Sequence, residues 1–413
     1  MKLALKQKPS NLAILGGQPT FTEKLHVGRP NLGHRERFLT RVNEILDRRW
    51  LTNQGVNVQE LETRLADLLG VKHCIVMCNG TVALEIAIRG LRLTGEVIVP
   101  SMTFIATAHA LQWQRITPIF CDIDPKTHNL DPERVEALIT PRTTGILGVH
   151  LWGRPGPVEA LADIARRHNL KLMYDAAHAF GCSHRGRMIG NFGDAEVFSF
   201  HATKFFNTLE GGAVVTNNDE LAAKIRLMKN FGFKDYDEVI YIGTNGKMNE
   251  ISAAMGLTLL DELDEVLATN RRHYHQYRQE LAGLPGLKLI DYDESEACNY
   301  QYIVLEVDET EAGLSRDLLL AILQAENVIA RRYFYPGCHR MEPYRSYFPH
   351  AGLLLPQTER LVERVLVLPT GTGVEPDQIS QICRLIRLVI EYRAYIVNKL
   401  KPDPEGEWVP WAA

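Results

Sequence analysis

Short apolar runs alternate with amphipathic segments through the first half of the chain. Each run is about five residues long and ends at polar or Gly/Pro-containing turns. The segments between the runs carry apolar residues at helical spacing. This alternation predicts βαβ units, and therefore a mostly parallel sheet covered by helices. The predicted strands span residues 74–78, 96–100, 117–122, 144–150, 170–175, 195–201 and 213–216.

Helical spacing in the same half predicts a helix before the first strand and others after most of the strands. The predicted helices span residues 35–50, 56–69, 82–90, 103–114, 131–138, 157–168, 219–230 and 249–263. Asp131-Pro132 is a typical helix start, because proline suits the first helical turn. A polar, Gly-rich loop is predicted over residues 231–247.

The pattern changes after residue 262, where a long basic helix over residues 266–284 leads into a second set of elements. We expect strands over 287–291, 302–307 and 328–331, and helices over 315–326, 354–365 and 376–399. The predicted organisation is an N-terminal arm (1–30), a large α/β domain (31–262), a smaller α+β domain (263–400) and a tail (401–413). The fold class is therefore α/β with a companion C-terminal domain.

Composition narrows the class of protein without identifying it. The 413 residues are 45% hydrophobic and 23% charged, with a net charge of −4. Such a balance gives no electrostatic reason to expect nucleic acid or an anionic membrane as a partner. No apolar run of about 18 residues occurs, so no membrane span is predicted. The basic N-terminus lacks the apolar core of a signal peptide.

The seven cysteines are scattered and form no C-x-x-C pair. Their number is odd, so they are typical of reduced thiols in a cytoplasmic protein. Without paired cysteines at metal-ligand spacing, the sequence predicts no zinc site.

One acid and one lysine follow apolar strands of the predicted sheet. Asp175 ends the run Lys171-Leu-Met-Tyr-Asp175, and Lys204 follows the strand over 195–201. Taken singly, each is more often a surface lysine or a salt-bridged strand-end acid. Together on neighbouring strand ends they suit pyridoxal 5′-phosphate (PLP). PLP needs a lysine amine for a Schiff base and a carboxylate to keep its ring nitrogen protonated.

A glycine turn and several flanking side chains complete the candidate site. Asn79-Gly80-Thr81 lies between a strand and a helix N-terminus, where free backbone N–H groups can bind phosphate. The same turn also occurs in α/β sheets that bind no phosphate. Ser199 could donate its hydroxyl to a phosphate oxygen, and Phe104 could stack on a ring or simply belong to the core. His178 either faces the ring or substrate or is a structural histidine.

These residues lie within a longer series of segments that resembles the DegT–StrS family of nucleotide-sugar aminotransferases. The resemblance runs from Gly16 to about residue 395, and the order and spacing of its segments make it specific. The matching segments are 16–19, 51–53, 79–84, 100–107, 122–124, 150–153, 175–181, 199–204, 210–212, 245–256 and 332–336 with His339.

The resemblance implies the fold of fold type I PLP-dependent transferases and a role for each matching residue. Lys204 would form the Schiff base and move the proton, and Asp175 would pair with the pyridine nitrogen. Gly80, Thr81 and Ser199 would hold the phosphate, and Phe104 would stack on the ring. Asn245 would reach the phosphate of the neighbouring subunit, so the protein is expected to be a homodimer with shared active sites. The segment 332–335 would lie near the substrate.

The resemblance also implies a reaction, namely amino transfer from L-glutamate to a nucleotide-linked keto sugar. Three departures from the common family pattern are His178 in place of Gln, Gly246-Lys247 in place of Tyr-Arg, and the residues after Lys204. They resemble a subgroup that aminates C4 of dTDP-4-keto-6-deoxyglucose. One family branch has histidine in place of the lysine and catalyses dehydration, and Lys204 argues against that branch.

Three other interpretations stay open on the sequence alone. They are a family transaminase that acts at C3 of the sugar or on a cyclitol ketone, a non-catalytic PLP-binding regulatory protein, and a plain nucleotide-binding α/β protein. The sequence does not identify the nucleotide, the stereochemistry of the amine, the amino donor or the final product.

Overall fold

A computed structural model of the chain describes residues 6–400, so the predicted tail over 401–413 lies outside the described residues. The strands β1–β16 are Leu25–His26, His73–Met77, Glu96–Pro100, Thr117–Cys121, Thr143–Val149, Lys171–Asp175, Ser183–His184, Arg187–Met188, Ala195–Ser199, Gly212–Thr216, Phe233–Asp235, Glu238–Val239, Leu287–Leu289, Ile303–Val307, Val328–Ile329 and Val365–Leu368.

The α-helices α1–α15 are Arg35–Arg48, Val56–Leu69, Gly80–Gly90, Ile105–Gln112, Pro132–Ala137, Val158–Arg167, Asp219–Met228, Glu250–Leu260, Leu263–Glu280, Glu309–Ala312, Arg316–Ala325, Tyr344–Tyr347, Pro356–Val362, Pro376–Glu391 and Arg393–Leu400. Short 3-10 helices span Pro9–Asn11, Ala13–Leu15, Leu151–Gly153, Cys338–Arg340 and Ala351–Leu354.

A seven-stranded sheet in the order β2-β10-β9-β6-β5-β3-β4 forms the centre of the molecule. Its strands are parallel except β10, which pairs antiparallel with both β2 and β9. The strands are almost wholly buried apolar runs, as expected for a sheet covered on both faces by helices. The predicted α/β fold with a mostly parallel sheet is therefore confirmed.

A second, three-stranded sheet in the order β13-β14-β16 lies in the C-terminal part of the chain. It packs with α9, α11 and α14 in one core that also contains Leu12 and Phe21 of the N-terminal arm. The arm is fixed there because β1 pairs in parallel with β15. The carboxylate of Glu326 also accepts hydrogen bonds from the backbone N–H groups of Ala13 and Thr20, both at 2.7 Å.

Three sequence predictions for individual elements were wrong. The stretch predicted as one helix over 354–365 is helix α13 followed by the start of strand β16, and 376–399 divides into α14 and α15 at Tyr392. The loop predicted over 231–247 contains the small hairpin β11–β12. Val365–Leu368 is a short, fully buried run, and its apolar pattern does not distinguish a strand from a helix.

The parallel arrangement brings several strand ends to one edge of the central sheet. β6 ends at Asp175, β9 ends at Ser199, and β2 leads through Asn79 into α3. The C-terminal part of the chain also reaches this edge, because the backbone N–H of Cys338 donates to the Ser101 carbonyl at 3.0 Å. Ligands on open α/β sheets bind beyond the carboxyl ends of strands, so this edge is where a site is expected.

Three further observations concern membrane spans, metal sites and disulfides. Within residues 6–400, no helix has the length and apolar character needed to cross a membrane. The same residues contain no cluster of three or more His, Cys, Asp or Glu side chains that could hold a metal ion. All seven cysteines are free thiols.

Candidate active site

A cavity of about 350 Å³ opens at this edge of the sheet, between the central sheet and the C-terminal part of the chain. Seven of the eight predicted site residues line it, and only Asn245 does not. The seven are Gly80, Thr81, Phe104, Asp175, His178, Ser199 and Lys204. Residues from distant parts of the sequence are therefore brought together as the alternating pattern predicts.

Asp175 is a buried carboxylate that is hydrogen-bonded but has no ion-pair partner within 4.0 Å among residues 6–400. Its Oδ2 accepts from the Thr107 hydroxyl at 2.8 Å, and its Oδ1 accepts from the Ala177 N–H at 3.1 Å. Burial raises the pKa of Asp175, although these hydrogen bonds and the charge of Lys204 oppose the shift. A cationic N–H group placed in the cavity would supply the missing partner.

Lys204 follows β9 and faces the same cavity. Burial lowers the pKa of its amine to about 8, against the field of Asp175, which acts in the opposite direction. An amine with this pKa is neutral in about a tenth of the molecules at pH 7 and in about half of them at pH 8, and the neutral amine is the nucleophilic form. The Nζ atom donates a hydrogen bond to the hydroxyl of Tyr302 at 3.1 Å.

His178 lies in an aromatic wall on one side of the cavity. Its ring stacks on Phe334 at 5.6 Å and tilts against Tyr302 at 4.3 Å between centroids. Trp152 stacks on the same Phe334 at 5.7 Å. The Trp152 backbone N–H donates to Nδ1 of His178 at 3.3 Å, which leaves the proton of the neutral ring on Nε2. Burial and the charge of Lys204 hold the pKa of His178 well below its usual value.

The turn at the start of α3 forms the other end of the cavity. Asn79 caps the helix, with its side-chain oxygen accepting from the Val82 N–H at 2.8 Å. A Cβ atom at Gly80 would stand 3.1 Å from Cβ of Ser199, so glycine keeps this space open. Free N–H groups at the helix start, beside the Ser199 hydroxyl, form a cradle suited to an anion such as phosphate.

Asn245 lies in an exposed position outside the cavity of its own chain. Its backbone pairs with Asn230 in an isolated β-bridge, and the next residue, Gly246, donates its N–H to the Lys229 carbonyl at 2.9 Å. Its side chain therefore lies on the surface, on a loop that backbone hydrogen bonds hold in place. The resemblance predicts that Asn245 reaches the phosphate in the site of the neighbouring subunit. An exposed position outside its own cavity is compatible with that role.

Some residues of the site received no role from their residue type. Thr107 and Trp152 lie in segments that resemble the family, and they contact Asp175 and His178, which line the cavity. Tyr302 and Phe334 line the cavity and come from the C-terminal part, about 100 residues or more from Lys204 along the chain. Phe334 belongs to the segment that the resemblance expects near the substrate, whereas Tyr302 has no such signal. Only the folded arrangement shows that Tyr302 lies beside Lys204, because its local pattern is that of an ordinary core aromatic.

Comparison with known proteins gives a consistent result. The model of the DegT/DnrJ/EryC1/StrS aminotransferase family matches residues 33–387. The chain belongs to this family. The predicted enzyme class, that of an aminotransferase, is thereby confirmed, and the family is one of PLP-dependent enzymes.

Individual members of the family resemble the chain over most of its length. It is 39% identical over 363 residues to a dTDP-4-amino-4,6-dideoxy-D-glucose transaminase of Shigella dysenteriae, covering 88% of this chain and 98% of that protein. It is also 39% identical over 327 residues to a GDP-perosamine synthase of Caulobacter vibrioides, covering 78% of this chain and 87% of that protein.

The solved structures include one with a particularly similar fold. The structure of DesI, determined in the presence of its TDP-sugar product, superimposes with a TM-score of 0.91 at 50% sequence identity. The alignment covers 94% of this chain and 99% of that chain. The expected fold of this aminotransferase family is therefore confirmed.

The cavity of this family member fits PLP on four features. Among residues 6–400, Asp175 has no ion-pair partner within 4.0 Å, and a protonated ring nitrogen would provide one; Lys204 offers an amine with a lowered pKa. The space kept open at Gly80 beside Ser199 offers a phosphate cradle. Phe104, which is 57% exposed, stands at the cavity with a free ring face on which a planar group could stack.

Proposed function

We propose that the protein is a PLP-dependent aminotransferase that moves an amino group from L-glutamate to a 4-keto-6-deoxy nucleotide sugar, with dTDP-4-keto-6-deoxyglucose or a close analogue as acceptor. The observation that carries the proposal is the pairing of Asp175 and Lys204 in one cavity with the phosphate cradle at Gly80. Bound PLP would supply a carbonyl that combines with amines and a ring that takes up electrons from an adjacent carbon.

Each residue of the site would have its own role in binding the cofactor or in moving a proton. Asp175 holds the ring N–H, Gly80, Thr81 and Ser199 bind the phosphate group, and Phe104 covers one face of the ring. Lys204 carries the proton between the two carbon atoms that exchange it in each half-reaction, acting as general acid and base. An amine pKa of about 8 suits this work, because both protonation states are populated near neutral pH.

His178 would donate from Nε2, since its Nδ1 is occupied by the Trp152 N–H. A neutral donor at this place can bind an oxygen atom of the cofactor or substrate without adding a charge beside Lys204. The lowered pKa of His178 keeps it neutral across the working pH range.

The acceptor is proposed from the relatives, because the cavity alone does not distinguish one sugar from another. The DesI structure contains a TDP-sugar product, and the Shigella relative is named for a dTDP-linked 4-amino sugar. The Caulobacter relative is named for a GDP-linked amino sugar, so the nucleotide must be tested as well as the carbon.

We also propose that the protein works as a homodimer with shared sites. Beside Asn245, the segment 231–247 exposes large apolar side chains that a second copy would cover. Tyr236 is 95% exposed and Ile242 is 75% exposed. Solvent-exposed apolar groups concentrated on one segment indicate an interaction surface.

A substrate panel tests the proposed reaction. Purified enzyme with PLP and L-glutamate is incubated with dTDP-4-keto-6-deoxyglucose, its GDP-linked counterpart, a 3-keto sugar nucleotide and a cyclitol ketone. Amino-sugar product and 2-oxoglutarate are measured by mass spectrometry, with Lys204→Arg as the control. The proposal expects the 4-keto sugars to be preferred by at least about tenfold in kcat/KM. Preference for the 3-keto sugar or the cyclitol would overturn the assignment to C4.

A further inference from the structure

Lys204 has a hydrogen-bond partner in the hydroxyl of Tyr302, the residue that immediately precedes strand β14 of the C-terminal sheet. Nζ of Lys204 donates to Oη of Tyr302 at 3.1 Å, and the ammonium group lies 5.9 Å from the centre of the tyrosine ring. Tyr302 itself is only 4% exposed. Within residues 6–400, this is the one hydrogen bond that the side chain of Lys204 makes.

Several contacts fix the position of Tyr302. Its backbone carbonyl accepts a hydrogen bond from the Tyr292 hydroxyl at 2.8 Å, and the following residue begins strand β14. Its ring packs at 4.3 Å against His178 and at 5.6 Å, edge-on, against Trp152. The hydroxyl is therefore held by packing on both sides and has little freedom to follow a moving amine.

Asp175 does not orient the amine of Lys204 in the way that Tyr302 does. It attracts Lys204 through space, but no ion pair within 4.0 Å joins the two side chains. An electrostatic attraction over a longer distance favours the charged amine but does not fix the orientation of its N–H groups. The hydrogen bond to Tyr302 at 3.1 Å fixes that orientation, because a hydrogen bond weakens steeply when the donor turns away.

We infer that Tyr302 is a positioning residue for Lys204: its hydroxyl binds the lysine amine whenever the amine is free and aims it at the reacting carbon. The inference rests on the proposed function, in which the amine is free during proton transfer. It also links the two sheets, since a residue just before strand β14 supplies the group that orients a side chain just after strand β9.

Other ionisable groups face the same cavity and must be kept constant in a test. His178 lies against the ring of Tyr302, and Asp175 acts on Lys204 through space. Farther around the lining are His201 with Glu210, Tyr333, and the guanidinium groups of Arg29 and Arg331. A change of Tyr302 to Phe alters none of these groups, because it removes one oxygen atom and keeps the ring.

The test compares wild type, Tyr302→Phe and Tyr300→Phe after removal of cofactor. Tyr300 is a matched control: it is 4% exposed, it lies two residues away, and its hydroxyl makes no hydrogen bond within residues 6–400. The rate at which PLP attaches to each protein is followed by the rise of visible absorbance over a pH series. Ionisation of PLP is common to all three proteins, so differences between them report the amine of Lys204.

The tyrosine oxygen accepts from the ammonium form, so its loss lowers the pKa of Lys204. The expected result for Tyr302→Phe is a pH profile displaced by about one unit toward acid, and no displacement for Tyr300→Phe. In single-turnover reaction with L-glutamate, the limiting rate should fall roughly tenfold while the half-saturating concentration stays constant. Thermal melting verifies that both variants are folded.

An undisplaced profile for Tyr302→Phe would overturn the inference, whatever the change in rate. Equal displacement in Tyr300→Phe would do the same, because the effect would then not belong to the contact with Lys204. A wild type that never develops visible absorbance with PLP would instead contradict the proposed function itself. The two failures are therefore distinguishable.

Discussion

Burial displaces the pKa of Asp175 upward and that of Lys204 downward, so each group is harder to charge in its cavity than in water. The hydrogen bonds of Asp175 with Thr107 and Ala177 offset only part of that cost. A site in which a buried carboxylate has no ion-pair partner is suited to a ligand that provides a cationic group. At the scale of single residues, we propose that the cavity serves to bind a charged ring at the expense of the stability of the empty protein.

Asp175→Asn tests this view of the empty protein. Because the folded pKa of Asp175 lies above its unfolded value, the charged carboxylate costs stability as the pH rises through that folded pKa. At pH 7 the amide removes this cost, so the cofactor-free variant should melt no lower than cofactor-free wild type. In calorimetry the difference should shrink as the pH falls below about 4, the usual pKa of an unfolded aspartate, because the acid is then increasingly neutral in both states.

The same variant should lose function, since an amide cannot keep a ring nitrogen protonated. We expect the glutamate half-reaction to slow by at least about a hundredfold, as measured by stopped-flow absorbance. A cofactor-free variant that is clearly less stable than wild type would show that Asp175 serves the fold instead.

Single residues could be predicted where their position follows from the order of strands and helices. Lys204, Asp175 and Gly80 follow strands of the predicted sheet, so their meeting at one edge follows from the alternation of elements. Tyr302 and Phe334 could not be predicted in this way. Their contacts depend on how the C-terminal part packs on the central sheet, and no local pattern encodes that arrangement.

At the scale of elements, one buried ionic cluster joins α2, β2 and α7. The carboxylate of Glu62 accepts from Lys229 Nζ at 2.9 Å, from Arg226 at 2.7 Å and from the Val76 N–H at 3.1 Å. Burial would raise the pKa of Glu62, but the two cations outweigh it and hold the pKa below its usual range. The Lys229 carbonyl also accepts from Gly246, so the cluster supports the loop that presents Asn245.

Glu62→Ala should therefore destabilise the protein by about 3–5 kcal/mol, because it leaves Lys229 buried without its partner. Glu60→Ala is the matched control on the same helix. Its ion pairs with Arg41 and Arg64 are exposed and span 3.8–3.9 Å, and their loss should cost about 0–1 kcal/mol. Unfolding in urea measures both differences.

The lowered pKa of Glu62 also determines how its contribution to the free energy of unfolding changes with pH. Because the folded pKa of Glu62 is lowered, its contribution is present above the unfolded pKa and is lost as the pH falls through the folded pKa. The difference between wild type and Glu62→Ala should shrink on acidification. Equal destabilisation by the two alanine variants would show that the cluster is not the support described.

Elements with strong periodicity were predicted well, and ambiguous ones were not. The seven strands of the central sheet and most of its helices lie within about three residues of their predicted bounds. Strand β16 was missed because four consecutive buried apolar residues suit a helix equally well in sequence. The hairpin β11–β12 was missed because its strands are very short and exposed, so their two apolar residues, Phe233 and Val239, form no alternating pattern.

At the scale of the whole molecule, the cavity of one chain is proposed to be completed by a second. Asn245 is exposed and outside its own cavity, and the segment around it displays apolar side chains to the surface. Such a segment would be buried at a twofold interface, where each copy gives and receives the same contacts.

Mixing two damaged chains tests this arrangement. Lys204→Ala removes the lysine, and Asn245→Asp places a negative charge where the partner's phosphate is proposed to bind. Each variant should have little activity alone. After refolding in a one-to-one mixture, mixed dimers regain one intact site, so about a quarter of all sites should be active.

The control is native mass spectrometry of the same mixture, in which a mixed dimer differs in mass from both parent dimers and therefore reports the exchange of chains. No recovery in the variant mixture, with exchange demonstrated in the control, would show that Asn245 acts within its own chain or not at all.

The central claim is that Lys204 and Asp175 hold PLP for amino transfer, and one spectroscopic experiment tests it most directly. Absorption spectra of the protein with PLP are recorded before and after addition of L-glutamate, for wild type and Lys204→Ala. The account predicts a visible band in wild type that shifts to the pyridoxamine form with glutamate and is absent from the variant. The keto sugar should then restore the original band. A wild-type protein that stays colourless with PLP, or a Lys204→Ala variant with the same band and response, would contradict it.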